Sequence, residues 1–216
     1  MKKIKGYILY IDLLGYKNLL RNNSEKENER IKRILEEFTE IYTSLDFRCI
    51  FGEEFDESRV LKRYFSDNFI FVYKSEKEDF MVLKRMQTLA SHIQNQFINC
   101  GLLVRGSLLY GEIEYSAEIV FGVDLIRAVE LENHAEPSIL IDKELKSIFD
   151  GNGCEFHEHN GLFSVKETSE ADRKEIVDGI NKCIENLNRT NIADQKIYDK
   201  IAWLIDKTRV LLLHQE

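Results

Sequence analysis

The sequence predicts an α+β fold whose core is a mainly antiparallel sheet in the order strand, helix, strand, strand, helix, strand. Three observations carry that expectation. Tyr7 to Ile11 is a run of aromatic, aliphatic and β-branched residues that ends on Asp12 and turns at Gly15 into an apolar-periodic segment. Val60 to Tyr73 contains two apolar runs joined by the polar Ser66-Asp67-Asn68, the pattern of a hairpin with an acidic tip. Over 25–45 and again over 79–99, apolar residues recur at three- and four-residue steps, the period of amphipathic helices.

Taken in order, Lys17 to Leu20 starts a short helix, Arg21-Asn22-Asn23 breaks it, and Ser24 is placed to cap the next. In that long helix Ile31, Ile34, Leu35, Phe38, Ile41, Tyr42 and Leu45 form the apolar stripe, and residues such as Glu29, Lys32, Arg33 and Glu36 the solvated face. Asp46 to Arg59, acidic and aperiodic, reads as a loop or an edge strand. The helix over 79–99 runs through Phe80, Leu83, Met86, Leu89, Ile93 and Phe97, with His92 read as a packed residue beside the stripe rather than a ligand. A strand follows at Leu102 to Leu109. This order is the ferredoxin-like βαββαβ arrangement, with helices on one face of the sheet and the first strand lying centrally beside the pair that carries Asp67.

Tyr110-Gly111-Glu112 is expected to turn the chain into a return strand over 113–121, before a helix at Leu125 to Glu132 and a strand at Ser138 to Ile141. A late hairpin around Asn160-Gly161 spans 156–165, and one or two helices occupy 171–213 with Trp203 in the last. Residues 1–145 are therefore read as the core and 146–216 as a C-terminal hairpin and helical extension packed on it. Pro137 is the only proline and marks no linker.

Composition narrows the function classes. With 216 residues and 44% hydrophobic content the chain can bury one substantial core. A formal charge of −8 argues against a broad grip on nucleic acid, which needs a basic face. Cys49, Cys100, Cys154 and Cys183 are widely spaced and form neither a zinc knuckle nor a disulfide framework, so reduced, buried thiols are expected. The apolar run after Lys5 is interrupted at Asp12 and has no small-residue cleavage site, so neither a signal peptide nor a membrane span is read, and the cytoplasm is the expected location.

Asp12 ends a buried strand, where a lone carboxylate costs several kcal/mol unless a cation or a helix cap engages it. Both a cap and a metal ligand satisfy that need. Asp67 shifts the balance, because strand neighbours in one sheet would bring Asp12 and Asp67 together, and two carboxylates completed by carbonyls and substrate phosphates suit Mg²⁺ or Mn²⁺. His157 and His159 share one strand face and have no further ligand nearby.

These residues carry a resemblance. Ile11-Asp12-Leu13-Leu14-Gly15-Tyr16-Lys17, Phe65-Ser66-Asp67-Asn68, Val104-Arg105-Gly106-Ser107 with Tyr110-Gly111-Glu112, and Val120-Phe121-Gly122 with Ala128-Val129-Glu130-Leu131-Glu132 resemble, in order, the blocks of class III nucleotidyl cyclases. The compact bacterial branch that includes the pyrimidine cyclases of the Pycsar antiphage systems is the most similar. The resemblance implies a cyclase core, a metal-dependent lyase acting on a nucleoside triphosphate, and a homodimer with composite active sites whose product acts on a separate effector protein.

It also implies roles. Asp12 and Asp67 would bridge two Mg²⁺ or Mn²⁺ ions, with the Leu13 carbonyl as a third ligand. The amides of Leu14, Gly15 and Tyr16 would cradle the β- and γ-phosphates at a helix N-terminus, with Lys17 adding charge or serving as plain surface. Arg63 stands where purine cyclases usually carry a base-reading lysine; with Tyr64 it resembles the pyrimidine branch, and a donor-rich arginine leans toward uracil over cytosine. Strand alternation puts Arg63 and Tyr64 on opposite faces, so only one would touch the base; surface Arg and core Tyr is the other reading. Arg105 would stabilise the triphosphate or transition state, or else pair with a surface carboxylate. Ile126 and Glu130 occupy the positions of a ribose-orienting Asn and a catalytic Arg in purine cyclases, a departure that the compact branch shares.

Overall fold

The computed structural model describes residues 1–14, 47–52, 55–149, 156–159, 162–165 and 178–185, together with single positions between 29 and 43 and near 200. Its strands form one mixed sheet. Strand β1 (Lys2–Leu13) pairs antiparallel with β3 (Asn68–Lys74), and β3 with β2 (Val60–Phe65). The full order is β2-β3-β1-β4-β6-β8-β7, with β4 at Val104–Tyr115, β6 at Ile139–Ile141, β7 at Phe156–His159 and β8 at Leu162–Val165. The short β5 (Val120–Phe121) pairs with the end of β4. The first strand is central and the pairing mainly antiparallel, as expected, with β4 and β6 the parallel pair. The late hairpin is present at β7 and β8.

Two compact units are distinguished. The first comprises Met1–Asp12, Asp46–His92 and Arg105–Glu167; the second comprises Leu13–Leu45, Ile93–Val104 and Thr168–Glu216. In the first, β1 is buried on both sides. Ile4 and Ile8 join Leu61, Val72, Leu109, Ile113 and Ala128 in one cluster, with Tyr10, Ile70 and Leu125 packed against it. Ala128 and Leu125 belong to helix α3 (Val123–Glu132), after the short α1 (Phe47–Phe51) and the long α2 (Phe80–Asn99). The even-numbered side of β1 therefore faces α3.

Tyr7 points the other way. Its hydroxyl donates to the Asp79 carbonyl at 2.9 Å and accepts from the Asp79 amide at 2.6 Å, tying that face to the start of α2. Burial of this phenol pushes its pKa up to about 12. Of the two helices expected on one face, α2 starts on the Tyr7 side and the segment 25–45 is described only at single positions, whereas α3, which follows the βαββαβ run, covers the opposite face.

Three segments differ from the sequence reading for identifiable reasons. Residues 46–59 hold α1 and a 3₁₀ turn (Glu57–Arg59) in place of a loop or edge strand, because Phe47, Phe51 and Phe55 stack on one another and on Phe71 and Tyr73. Tyr110-Gly111-Glu112 does not turn but continues β4. Gly111 is required there because the Asp124 carboxylate occupies the space of its missing Cβ and accepts from the Glu112 amide at 2.8 Å. Helix α4 (Lys143–Phe149) was not anticipated. Arg127 of α3 is held by Asp124, Asp142 and Glu144, which anchors α3 to the turn before α4.

In the second unit Ile98, Leu103, Ile180 and Cys183 form a buried cluster with Leu14, Ile184 and Trp203 against it. Residues 178–185 are helical, as expected within 171–213. Glu29, Lys32, Arg33, Glu36, Thr39, Glu40 and Thr43 are helical and exposed, in agreement with a solvated face. His92 is exposed rather than packed. Of the cysteines, Cys183 is buried but Cys49 is exposed, and Cys154 lies outside the described residues. No helix among the described residues is long and apolar enough to cross a membrane.

Strands β1 and β4 approach closely at Gly106, where a Cβ would run into the Tyr10 carbonyl oxygen and press on Ile11. Because the obstacle is backbone, Gly106→Ala is expected to lower the unfolding free energy by about 1–3 kcal/mol in urea denaturation.

Candidate functional site

The register of β1 on β3 places Asp12 opposite Asn68, one residue beyond the hairpin tip. Phe65 pairs with Asn68 across the hairpin, which leaves Ser66 and Asp67 as a two-residue turn. Ser66 has φ 57°, a left-handed conformation uncommon for a side-chain-bearing residue. Asp67 is thus held at the sheet end where β1 delivers Asp12. Asn68 links them. The Tyr10 hydroxyl donates to Asn68 Oδ1, and Asn68 Nδ2 donates to Asp67 Oδ1 at 3.2 Å.

Arg105 enters from β4 on the same face, which it shares with Ser107, whose hydroxyl donates to the Ala128 carbonyl of α3 at 2.7 Å. Arg105 Nε donates to Asp12 Oδ2 at 3.3 Å and also forms an ion pair with Glu132 Oε1. Glu132 ends α3 and is only 3% exposed. Tyr10 registers this cluster. Burial raises its phenol pKa, the charges of Asp12, Glu132 and Asp67 raise it further, and Arg105 opposes them. The hydroxyl consequently stays protonated and able to donate to Asn68.

Arg63 and Tyr64 separate as strand alternation requires. Lys62 lies over the Phe47 ring at 4.1 Å, whereas Arg63 Nη1 donates to the Lys62 carbonyl at 2.7 Å and Nη2 to the Ser116 carbonyl at 3.1 Å, with its Nε buried and without a hydrogen-bond partner. Tyr64 is 57% exposed, not a core residue. Leu13 closes β1 and belongs, with Leu14, to the second unit. The Leu14 amide, expected on a phosphate, donates instead to the Leu103 carbonyl at 2.8 Å. Gly15, Tyr16 and Lys17 lie outside the described residues, as do the side chains of His157 and His159. Ile126 and Glu130 are exposed on α3.

The donor chemistry fits a hard divalent cation. Asp12 supplies carboxylate oxygens from β1 and Asp67 from the β2–β3 turn, and among the described residues the Arg105 guanidinium stands against this negative charge. No group of three or more His, Cys, Asp and Glu side chains arranged for a metal is present among the described residues. Two carboxylates among the described residues leave positions for substrate oxygens and water.

Two residues of the cluster are not identified by sequence reasoning. Asn68 gives a signal only through register, as the residue after a two-residue turn. Glu132 gives none beyond being an apparently amphipathic helix's last residue, since the burial of a helix-end carboxylate depends on the arginine that meets it.

No family model matches the sequence, and no curated protein is similar to it. Solved structures are similar in fold. The monomeric guanylyl cyclase domain of the RhoGC fusion protein from the aquatic fungus Blastocladiella emersonii superposes with a TM-score of 0.54 at 12% identity, covering 76% of this chain and 95% of that one. The catalytic core of a rhodopsin-guanylyl cyclase with converted specificity, in complex with ATPαS, gives 0.51 at 13%, covering 77% and 98%. An adenylate/guanylate cyclase/hydrolase from Silicibacter pomeroyi gives 0.50 at 17%, covering 78% and 92%. At such identities the likeness is one of fold.

Asn68→Ala removes the acceptor of a half-buried phenol and the donor to Asp67. An unmet buried hydroxyl predicts a loss of about 1–3 kcal/mol in urea unfolding; Tyr10→Phe in the Asn68→Ala background should recover part of it.

Proposed function

We propose that the protein is a nucleotide cyclase that converts a pyrimidine nucleoside triphosphate, UTP ahead of CTP, into a 3′,5′-cyclic nucleotide and pyrophosphate. The observation that carries this reading is the register that sets Asp12 opposite Asn68, the residue after Asp67, at one end of a sheet whose fold is similar to that of cyclase domains. In the reaction the ribose 3′-oxygen bonds to the α-phosphorus, the bond to the β-phosphate oxygen breaks, and the hydroxyl proton is lost. Asp12 and Asp67, with the Leu13 carbonyl that the sequence resemblance adds, would hold Mg²⁺ or Mn²⁺ as a pair of ions. The ions would lower the pKa of the hydroxyl and offset charge on the phosphoryl oxygens.

The chain's own residues divide the remaining work. Asn68 fixes the Asp67 carboxylate through its amide, while Tyr10 fixes Asn68. Arg105 supplies the positive charge of the site and is the candidate to meet the triphosphate or the transition state. Phosphate binding by Gly15, Tyr16 and Lys17 is part of the reading, and so is base selection by Arg63 and Tyr64. Arg63 sets each terminal nitrogen on one backbone carbonyl and keeps its Nε buried, so the second hydrogen of each terminal nitrogen is what it can offer to a base oxygen. The names of the solved neighbours, which are guanylyl and adenylate/guanylate cyclases, favour a purine triphosphate as the second reading.

A homodimer with composite sites is supported by exposed apolar side chains. Phe65 is 82% exposed at the hairpin end, Val123 is 81% exposed and Ile126 59%, beside Ile119 and Phe121. Such residues are costly to leave in water, and a second copy of the chain would cover them. The product would act in the cytoplasm as an antiphage signal on a separate effector protein, and residues 146–216 would serve packing or assembly.

Incubation with each of the four NTPs and Mn²⁺ should yield cyclic product and pyrophosphate from one pyrimidine. Conversion of a purine instead would establish the second reading, and binding without turnover would overturn both. Asp12→Ala and Asp67→Ala should fold yet lose about 10²-fold or more of the turnover. Phe65→Glu together with Val123→Glu should give monomers by sedimentation with unchanged far-UV circular dichroism and little activity.

A further inference from the structure

We propose that Tyr10 and Asn68 select the divalent ion: together they withhold one oxygen of Asp67, which leaves a one-oxygen ligand suited to Mg²⁺ or Mn²⁺ and poorly suited to Ca²⁺. The inference rests on the reading of Asp12 and Asp67 as ion ligands.

The Asn68 amide can lie only one way round. A carboxylate accepts hydrogen bonds and has none to give, so the end of the amide facing Asp67 has to be Nδ2, which donates to Asp67 Oδ1 at 3.2 Å. Oδ1 of the amide is then turned to Tyr10, and the phenol directs its one proton there. A phenol holds that proton throughout the neutral range. Tyr10, Asn68 and Asp67 thus form a polarised chain in which each bond fixes the next.

The sheet anchors the chain of bonds at its far end. Tyr10 stands on β1 opposite Ile70 and packs against the buried cluster of Ile4, Ile8 and Val72, while Asn68 opens β3 opposite Asp12. Asp67 shares a two-residue turn with Ser66, whose left-handed backbone belongs to the hairpin. With the backbone set by the turn, the orientation of the carboxylate is what the amide adds.

The two oxygens of Asp67 are thereby made unequal. Oδ1 accepts from Asn68, whereas Oδ2 receives no hydrogen bond among the described residues. An entering ion meets the open oxygen, and grasping both would mean displacing or sharing the amide. Ca²⁺ collects roughly six to eight oxygens and readily takes two from one carboxylate. Mg²⁺, which Mn²⁺ resembles in this, demands a near-ideal octahedron whose edge a single carboxylate is too narrow to span, so a withheld oxygen costs it nothing.

The test is ion binding to the full chain without nucleotide, with Mn²⁺ read as loss of the free-ion electron paramagnetic resonance signal and Ca²⁺ by its displacement of Mn²⁺. Wild type should bind Mn²⁺ more tightly than Ca²⁺. Asn68→Ala should lower the ratio of Mn²⁺ to Ca²⁺ affinity by about ten-fold, because the carboxylate is no longer oriented for one ion and offers both oxygens to the other. Tyr10→Phe, which keeps the ring in the core, should lower the ratio by about three-fold. In the Asn68→Ala background Tyr10→Phe should change it by less than about two-fold, since Tyr10 acts through the amide. Equal weakening of both ions by Asn68→Ala, the mark of a merely structural role, overturns the proposal while leaving the ion site standing, as does a wild type that holds Ca²⁺ as tightly as Mn²⁺. If Asn68→Ala does not fold, Tyr10→Phe decides alone, because an unchanged ratio there sinks selection through the amide. Failure of wild type to bind Mn²⁺ at all removes the ion-site reading itself and the selection with it.

Discussion

The pairing register of β1 is the constraint on which the site depends. With Tyr10 opposite Ile70 and Asp12 opposite Asn68, the even residues of β1 point toward α3, and the run Ile8, Tyr10, Asp12 grades from core to site along one face. A slip of one residue would turn every one of these side chains to the other face, burying Asp12 against the α2 side and carrying Tyr7 away from Asp79. The buried Ile4, Ile8, Leu109 and Ile113 prevent that slip, and so the apolar core holds two carboxylates in place that it does not itself touch. Gly106 adds a second check, because only a residue without Cβ allows β4 to come close enough for Arg105 to reach Asp12.

Charge is arranged with the same economy. Asp12, Asp67 and Glu132 all act on Tyr10 at the end of one sheet, and one guanidinium stands against them. Removing a partner from such a half-buried set leaves a desolvated charge behind, which is far costlier than the pair is stabilising. The cluster is therefore poor material for stability and well suited to receiving another cation. Tyr10 completes it without adding charge, since burial and the surrounding carboxylates keep its proton on.

The parts of this design that were legible in the sequence are those fixed by local pattern. The hydrophobic run ending at Asp12, the Ser-Asp-Asn hairpin and the period of α2 each declare themselves locally, and together they give the order of the first three strands and the helix that follows them. What failed was decided by distant partners. Gly111 looks like a turn residue until Asp124 is seen filling its Cβ position, and Phe47, Phe51 and Phe55 look aperiodic until they are seen stacking on Phe71 and Tyr73. The resemblance puts the Leu14 amide on a phosphate at a helix N-terminus, yet that amide closes on Leu103, a bond that only the fold reveals. Glu132 belongs to the same class, a carboxylate whose burial makes sense only once Arg105 is beside it.

Arg63 connects the proposed choice of base to the proposed assembly. Its side chain bridges β2 to the turn between β4 and β5 through the Ser116 carbonyl, and the Ser116 amide in turn donates to the Ile119 carbonyl at 2.8 Å. Ile119 and Phe121 on that turn, and Tyr64 and Phe65 next to Arg63, are the exposed apolar residues of the region. A second copy that covers them would press on both ends of the Arg63 bridge. Desolvation there strengthens the bonds to Ser116 and Lys62. Under the proposed reading a base oxygen accepts from a terminal nitrogen held in this way, so the arginine would discriminate between bases most sharply in the assembled form, where water no longer competes for the second hydrogen of that nitrogen.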